Sequence, residues 1–180
     1  YPIVSYYDVT AGDLNVLFCG NATCSTGNTV LTVDGCSTCN TNGNVGEYSS
    51  LILDSNNRPR VAYRNATGNT EKFAKCDSDP CTTLSNWTFA ETDSYYKPTH
   101  YSVFIYTNGE TYATNYDDEP TVGYDALVAR RFSDPTARTL LDGSIVSSTH
   151  VGQYNSAKFV NGNLSVSYYD LSGGNLKYCY

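Results

Sequence analysis

The sequence predicts an all-β, β-propeller-like domain over residues 1–180, made of about four four-stranded repeats with an incomplete repeat at each end. Three observations predict it. The stretch Pro2-Ile3-Val4-Ser5-Tyr6-Tyr7-Asp8-Val9 returns near the other end as Leu164-Ser165-Val166-Ser167-Tyr168-Tyr169-Asp170-Leu171. A lead-in strand carries Tyr48, Tyr101 and Tyr154, each 53 residues from the next. No segment has helical periodicity; Tyr124 to Phe132, the one arguable stretch, reads better as a strand.

The first unit begins with Val4 and Tyr6, then Leu14 and Val16, alternating with other residues at period two around the turn Gly12-Asp13. Gly before Asp or Asn supplies the positive φ of a tight hairpin, so the unit is a strand, a turn and a strand. Arg58-Pro59-Arg60-Val61-Ala62-Tyr63-Arg64-Asn65 matches the opening stretch in its Pro, Val, Tyr and Asx, and Tyr112-Ala113-Thr114-Asn115-Tyr116-Asp117 is a weaker copy. Upstream of the later copies lies a further strand, in Val45-Gly46-Glu47-Tyr48, His100-Tyr101 and Val151-Gly152-Gln153-Tyr154. Downstream comes a strand ending in aspartate: Asp34, Asp93 and Asp142. With the strands lettered A to D, the repeats span about 1–35, 45–93, 99–143 and 150–180. The first has B, C and D; the last has A, B and C.

Composition narrows the function classes. Charged residues make up 16% with a net charge of -7 and no basic run, which disfavours nucleic acid as a partner. No apolar run approaches the roughly 18 residues of a membrane helix, so membrane insertion is not expected. The absence of Met and the start at Tyr1 lead us to expect a processed or trimmed chain. Seventeen tyrosines, seven cysteines and few charges point to an extracellular, secreted or cell-surface protein.

Cys19 and Cys24 follow strand C of the first unit, and Cys76 and Cys81 hold the same place in the second. A four-residue gap with Gly, Asn or Asp-Pro turns the chain back far enough to bring two Cα atoms within the roughly 4.4–6.8 Å a disulfide needs. Each pair is read as a local disulfide; a zinc site is disfavoured because the pairs belong to different units. Cys36 and Cys39 either close a small ring or seek separate partners. Cys179 is left over, as an intermolecular thiol or a buried free one.

The repeat of Ser-Tyr-Tyr-Asp, Gly-Asp-Leu, Cys-x4-Cys and Val-Gly-x-Tyr, with Ser50-Leu51-Ile52-Leu53-Asp54-Ser55-Asn56-Asn57-Arg58-Pro59, resembles the tandem β-propeller-like repeats of secreted bacterial proteins. The resemblance covers Tyr1 to Asp93 and Val151 to Tyr180 and is poor from Tyr95 to Ser148. It implies a fold and a compartment, and no reaction or catalytic residue.

The function expected is that of a non-catalytic structural protein that associates with copies of itself, into a filament where the contacts do not close. Unfinished sheets present free N–H and C=O groups that template pairing, and a heterologous contact propagates. The alternative is a carbohydrate-binding, lectin-like module, in which Tyr6, Tyr7, Tyr95, Tyr96, Tyr168, Tyr169 and Trp87 would stack on sugars; alternation instead sends one tyrosine of each pair into the core.

Catalysis is not expected. His100 and His150 have no triad, zincin or nucleophile spacing around them and read as exposed loop residues. No cofactor is expected. Calcium is the one metal weighed, at Asp8 with Asp13 or at Asp117-Asp118-Glu119, but Asx-turn chemistry accounts for Asp8, Asn65 and Asp170 without it. Sequons stand at Asn21, Asn65, Asn86 and Asn163; Asn21 and Asn65 lie in turns suited to glycosylation, Asn86 is a further candidate, and Asn163 begins a strand and is disfavoured.

Overall fold

The computed structural model describes residues 1–92, 97–105, 108–119, 124–143 and 150–180. They form four antiparallel sheets, each a chain-order meander. The first holds β1 (Ile3–Asp8), β2 (Asp13–Phe18) and β3 (Thr29–Asp34); the second holds β4 (Val45–Leu53), β5 (Pro59–Asn65), β6 (Thr70–Cys76) and β7 (Trp87–Glu91). The third holds β8 (Lys97–Ile105), β9 (Thr111–Glu119), β10 (Tyr124–Arg131) and β11 (Asp134–Asp142); the fourth holds β12 (Val151–Val160), β13 (Asn163–Asp170) and β14 (Asn175–Cys179). The first sheet therefore has strands B, C and D and the last has A, B and C, and Tyr124–Arg131 is strand C of the third unit. Asp93, Tyr95 and Tyr96 lie outside the described residues, as does the side chain of Glu119.

Period-two burial makes each sheet two-faced. In the second sheet, Val61, Tyr63 and Ala74 pack with Leu14, Val16 and Val33 of the first. Ala62 and Phe73, one residue along, pack with Tyr101, Val103 and Ala113 of the third. Leu127 of the third packs with Val151, Val166 and Tyr168 of the fourth. Each core cluster thus joins consecutive sheets, and among the described residues none joins the last sheet to the first. The architecture shown is a row of sheets in chain order.

Asx side chains close the B–C hairpins. Asp8 Oδ1 accepts from Thr10 N at 2.9 Å, Asn65 Oδ1 from Gly68 N at 2.9 Å and Asp170 Oδ1 from Gly173 N at 2.9 Å. The positive φ falls on Gly12 and Gly174 but on Asn69 in the second unit, where the hairpin's left-handed residue is one position later than its glycine. Three disulfides, Cys19–Cys24, Cys36–Cys39 and Cys76–Cys81, have Cα separations of 4.7, 5.0 and 5.7 Å.

One alignment needs correcting. Ser50 pairs with Ala62, Ser102 with Thr114 and Ser156 with Ser167, so the strand A equivalents are Tyr48, His100 and Tyr154. The even tyrosine spacing misplaced Tyr101 by one residue. Tyr101 points into the core of the second and third sheets, and His100 takes the place of the tyrosine.

Candidate functional site

The candidate features lie where sheets meet and where the row of sheets ends. At the joint between the first and second sheets, Asp34 at the end of β3 is fully buried. Its Oδ2 accepts from the Tyr63 hydroxyl at 2.7 Å and from Lys72 Nζ at 2.5 Å. Lys72 also reaches Thr41 Oγ1. Burial, and then the Asp34 charge, push the Tyr63 hydroxyl well above its ordinary pKa, so it stays a donor. The third and fourth sheets repeat the arrangement: Asp142 Oδ2 accepts from the Tyr168 hydroxyl at 2.5 Å and from Lys177 Nζ at 3.3 Å. Burial opposes ionisation of Asp142, yet the Tyr168 hydroxyl, the Gly143 N–H and Lys177 hold its carboxyl below the usual range.

Close backbone approach accompanies both clamps. A Cβ on Gly46 would lie 2.8 Å from Leu14 Cα of the sheet before it, and one on Gly152 would lie 2.9 Å from Leu127 Cα. Leu14 and Leu127 are equivalent positions, as are Gly46 and Gly152.

The joint between the second and third sheets carries other residues at those of the clamp positions that are described. By strand register, Asn115 stands for the tyrosine, Val128 for the lysine and Glu71 for the leucine, while the aspartate's position falls on Asp93, outside the described residues. A buried ionic group replaces the clamp: Arg130 Nε is 3.0 Å from Glu71 Oε2, Arg130 Nη2 is 2.7 Å from Asp117 Oδ2, and Arg138 Nη1 is 3.4 Å from Asp117 Oδ2. Burial pushes the Glu71 carboxyl up to about 8, against the pull of Arg130 and with Asp117 adding to the rise.

Of the two histidines expected as exposed loop residues, His150 lies in the loop before β12 with its side chain 45% exposed, whereas His100 does not fit. His100 lies on β8 with its ring centroid 5.2 Å from that of Tyr48 and 4.4 Å from that of Tyr154, and burial lowers its pKa. All three residues have left-handed backbones, φ 55, 56 and 52, which bulky side chains seldom adopt. Tyr154 remains 72% exposed, so the three rings form an accessible row across β4, β8 and β12. His150 Nδ1 pairs with Asp125 Oδ2, and the Tyr116 hydroxyl is 3.4 Å from the same nitrogen.

The aromatic residues expected to stack on sugars sit elsewhere. Trp87 is buried, with Nε1 donating to Cys81 O at 2.9 Å, and Tyr168 is buried in the clamp. Tyr7 and Tyr169 are half-buried, while Tyr6 is 37% exposed on the outer face of the first sheet.

Asn65 is buried, with Nδ2 donating to Glu91 Oε1 at 2.8 Å, so the folded chain does not offer this sequon for glycosylation. Asn21 and Asn86 are half-buried and bonded within their own loops, to Ser25 and Thr26 and to Pro80 O. Asn163 is exposed at the start of β13. Cys179 occupies the inward-facing position held by Ala74 in the second sheet and packs on the cluster of Leu127 and Val166. Burial, with Asp142 adding, pushes its thiol up, so the expected intermolecular thiol is an inward-facing one.

Asp8 and Asp13 form no cage; Asp8 is spent on its turn, and Asp117 on the two arginines. Among the described residues no group of three His, Cys, Asp or Glu side chains is placed to hold a metal ion, and no helix is long and apolar enough to cross a membrane.

The first sheet's outer face exposes Val4 at 44%, Tyr6 at 37% and Val30 at 53%. These are the register equivalents of Val61, Tyr63 and Phe89, which in the second sheet pack on the first. The last sheet exposes Leu176 at 81%, Tyr178 at 60% and Tyr180 at 91%, the equivalents of Leu14, Val16 and Phe18. Those three belong to the other side of the same joint. No protein-family model matches the chain, and neither does any curated protein.

Proposed function

We propose that the chain is a non-catalytic structural protein of an oxidising, extracellular setting, whose sheets act as propeller-like blades and whose end sheets join it to copies of itself. One observation carries this reading: the two ends present the two halves of a joint that is already made inside the chain. Apolar sheet faces of this kind are normally covered. Stacking the last sheet of one copy on the first sheet of the next would bury both, and because the two surfaces differ, the contact is heterologous and extends into a filament. Three intrachain disulfides suit such a compartment.

Light scattering and negative-stain images of the purified protein test it. The expected result is particles that grow with concentration beyond the 19.7 kDa of one chain. Val4→Glu with Tyr178→Glu should return them to single chains, and a single-chain particle of the parent at every concentration overturns the reading.

A second reading, glycan binding, is favoured by the row of Tyr48, His100 and Tyr154. Backbone strain in three equivalent aromatic residues needs a compensating use, and exposed rings are what sugars stack on. A glycan array without hits removes it; hits lost in Tyr154→Asn, whose side chain tolerates the left-handed backbone, support it.

A further inference from the structure

The clamp between the first and second sheets has the parts of an acyl-transfer site. Lys72 Nζ and Asp34 Oδ2 are 2.5 Å apart with neither side chain exposed, which sets an amine beside a carboxyl carbon in a site shut off from water. Asp34 Oδ1, the other oxygen, accepts from Gly35 N at 3.0 Å and from Thr41 N at 2.6 Å. Two backbone N–H groups converging on one oxygen are what stabilises the oxyanion of a tetrahedral intermediate. The Tyr63 hydroxyl donates to Oδ2 at 2.7 Å. Glu91 Oε2 lies 3.9 Å from Nζ, and among the described residues Asp34 and Glu91 are the carboxylates paired with this lysine. The rings of Tyr63 and Phe89 stand 5.9 Å from Nζ on either count.

The other lysine–aspartate clamp lacks these conditions. Lys177 Nζ is 3.3 Å from Asp142 Oδ2, with the two side chains 40% and 32% exposed. It is shared with Asp170 Oδ2 at 3.2 Å. Water screens that pair and leaves it ionic.

We propose that Lys72 and Asp34 condense into an amide, a covalent bond within the chain that joins β6 to β3. One ammonium proton passes to Glu91, and the freed amine attacks Asp34 Cγ. The Nζ–Cγ bond forms while negative charge gathers on Oδ1 under the N–H groups of Gly35 and Thr41. The Cγ–Oδ2 bond then breaks. Oδ2 leaves as water with the two protons that nitrogen has lost, one of them returned by Glu91, so no oxidant or further reactant is needed. An ammonium and a carboxylate kept out of water are costly, and the amide that replaces them is neutral, so burial favours the condensed state. The bond fixes the first joint however the chain associates, and it stands or falls independently of end-to-end stacking.

The test is intact-mass measurement of the purified full chain with its cysteines reduced. The mass should lie about 18 Da below that of the sequence, one water lost. Trypsin should leave Asn65–Lys75 attached to the fragment that holds Asp34. Lys72→Arg, which keeps the charge but not the nucleophile, should restore the full mass. Glu91→Gln keeps an oxygen for Asn65 and Thr70 but cannot carry the proton, and it should leave most chains unlinked. Where Lys72→Arg does not fold, the joined tryptic fragment and Glu91→Gln decide. A folded parent chain at full mass overturns the proposal. So does the same loss persisting in Lys72→Arg, which would mark a cyclic imide at Asp34-Gly35 instead, and complete linking in Glu91→Gln overturns the part given to Glu91.

Discussion

Lys72 Nζ lies 2.5 Å from Asp34 Oδ2 with neither side chain exposed, and the two residues belong to neighbouring sheets. Two charges leave water for this contact, and their mutual attraction, the Tyr63 and Thr41 hydroxyls and the Gly35 and Thr41 N–H groups on Asp34 Oδ1 offset that cost. The pair therefore selects one partner and one register for the two sheets more than it adds net stability. Lys177 makes the same contact with Asp142 at 3.3 Å while 40% exposed, where water screens it.

Removing the buried lysine should cost far more than removing the exposed one. Lys72→Ala removes the cation from the buried Asp34, at a cost of about 3–5 kcal/mol, whereas Lys177→Ala should cost no more than about 1 kcal/mol. Urea unfolding of the two variants checks the contrast; equal losses would mean that the buried contact is not formed.

Gly46→Ala and Gly152→Ala should each lower stability by at least about 2 kcal/mol. Both glycines have φ above 110 and both would drive a methyl group into the backbone of the preceding sheet. Gly109→Ala is the control: its φ is 82 and nothing lies within 4 Å of the new Cβ, so the backbone term of about 1–2 kcal/mol is all it should lose. Thermal melts of the three variants separate close packing from conformation.

Glu71 sets a pH dependence of definite sign. Its carboxyl is raised in the folded chain from 4.5 to about 8, so the folded state keeps a proton that the unfolded chain releases. The stability it contributes is whole below about 4.5 and is lost as the pH climbs towards about 8. Melting temperature should fall across that window, and Glu71→Gln, which is neutral throughout, should flatten the slope; an unchanged slope in the variant refutes the assignment.

Intact-mass measurement should find six of the seven cysteines oxidised in pairs, and a single thiol that reacts with alkylating agents quickly only after unfolding. A dimer that reductant splits would show Cys179 facing outward, contrary to its packing on Val166 and Leu127.

Much of this molecule was legible in the residue order because its signals are local. Period-two alternation set Val4 and Tyr6 apart from Ser5, Asx and Gly marked the hairpins, and a four-residue gap between cysteines suits a local disulfide. The clamp left a trace too: Asp34 with Asp142, Tyr63 with Tyr168 and Lys72 with Lys177 occupy matched places in the repeats. The group of Glu71, Arg130 and Asp117 left none, since it occurs once, and its members lie in segments whose likeness to the other units is poor because this joint is different. His100 was hidden by Tyr101 beside it, which kept an even spacing that the backbone bulge does not respect.

By itself the sequence determined the strands, their meander order, the hairpin turns and the Cys19–Cys24 and Cys76–Cys81 disulfides, because each depends on residues a few places apart along one chain, while Cys36–Cys39 was left open. Only the tertiary structure decided which faces meet: that Asn65 and Cys179 turn inward, that Trp87 fills a joint, and that the end faces stay uncovered. Those outcomes depend on side chains from different sheets competing for one buried volume, and alternation says that a residue faces one side without saying what waits there.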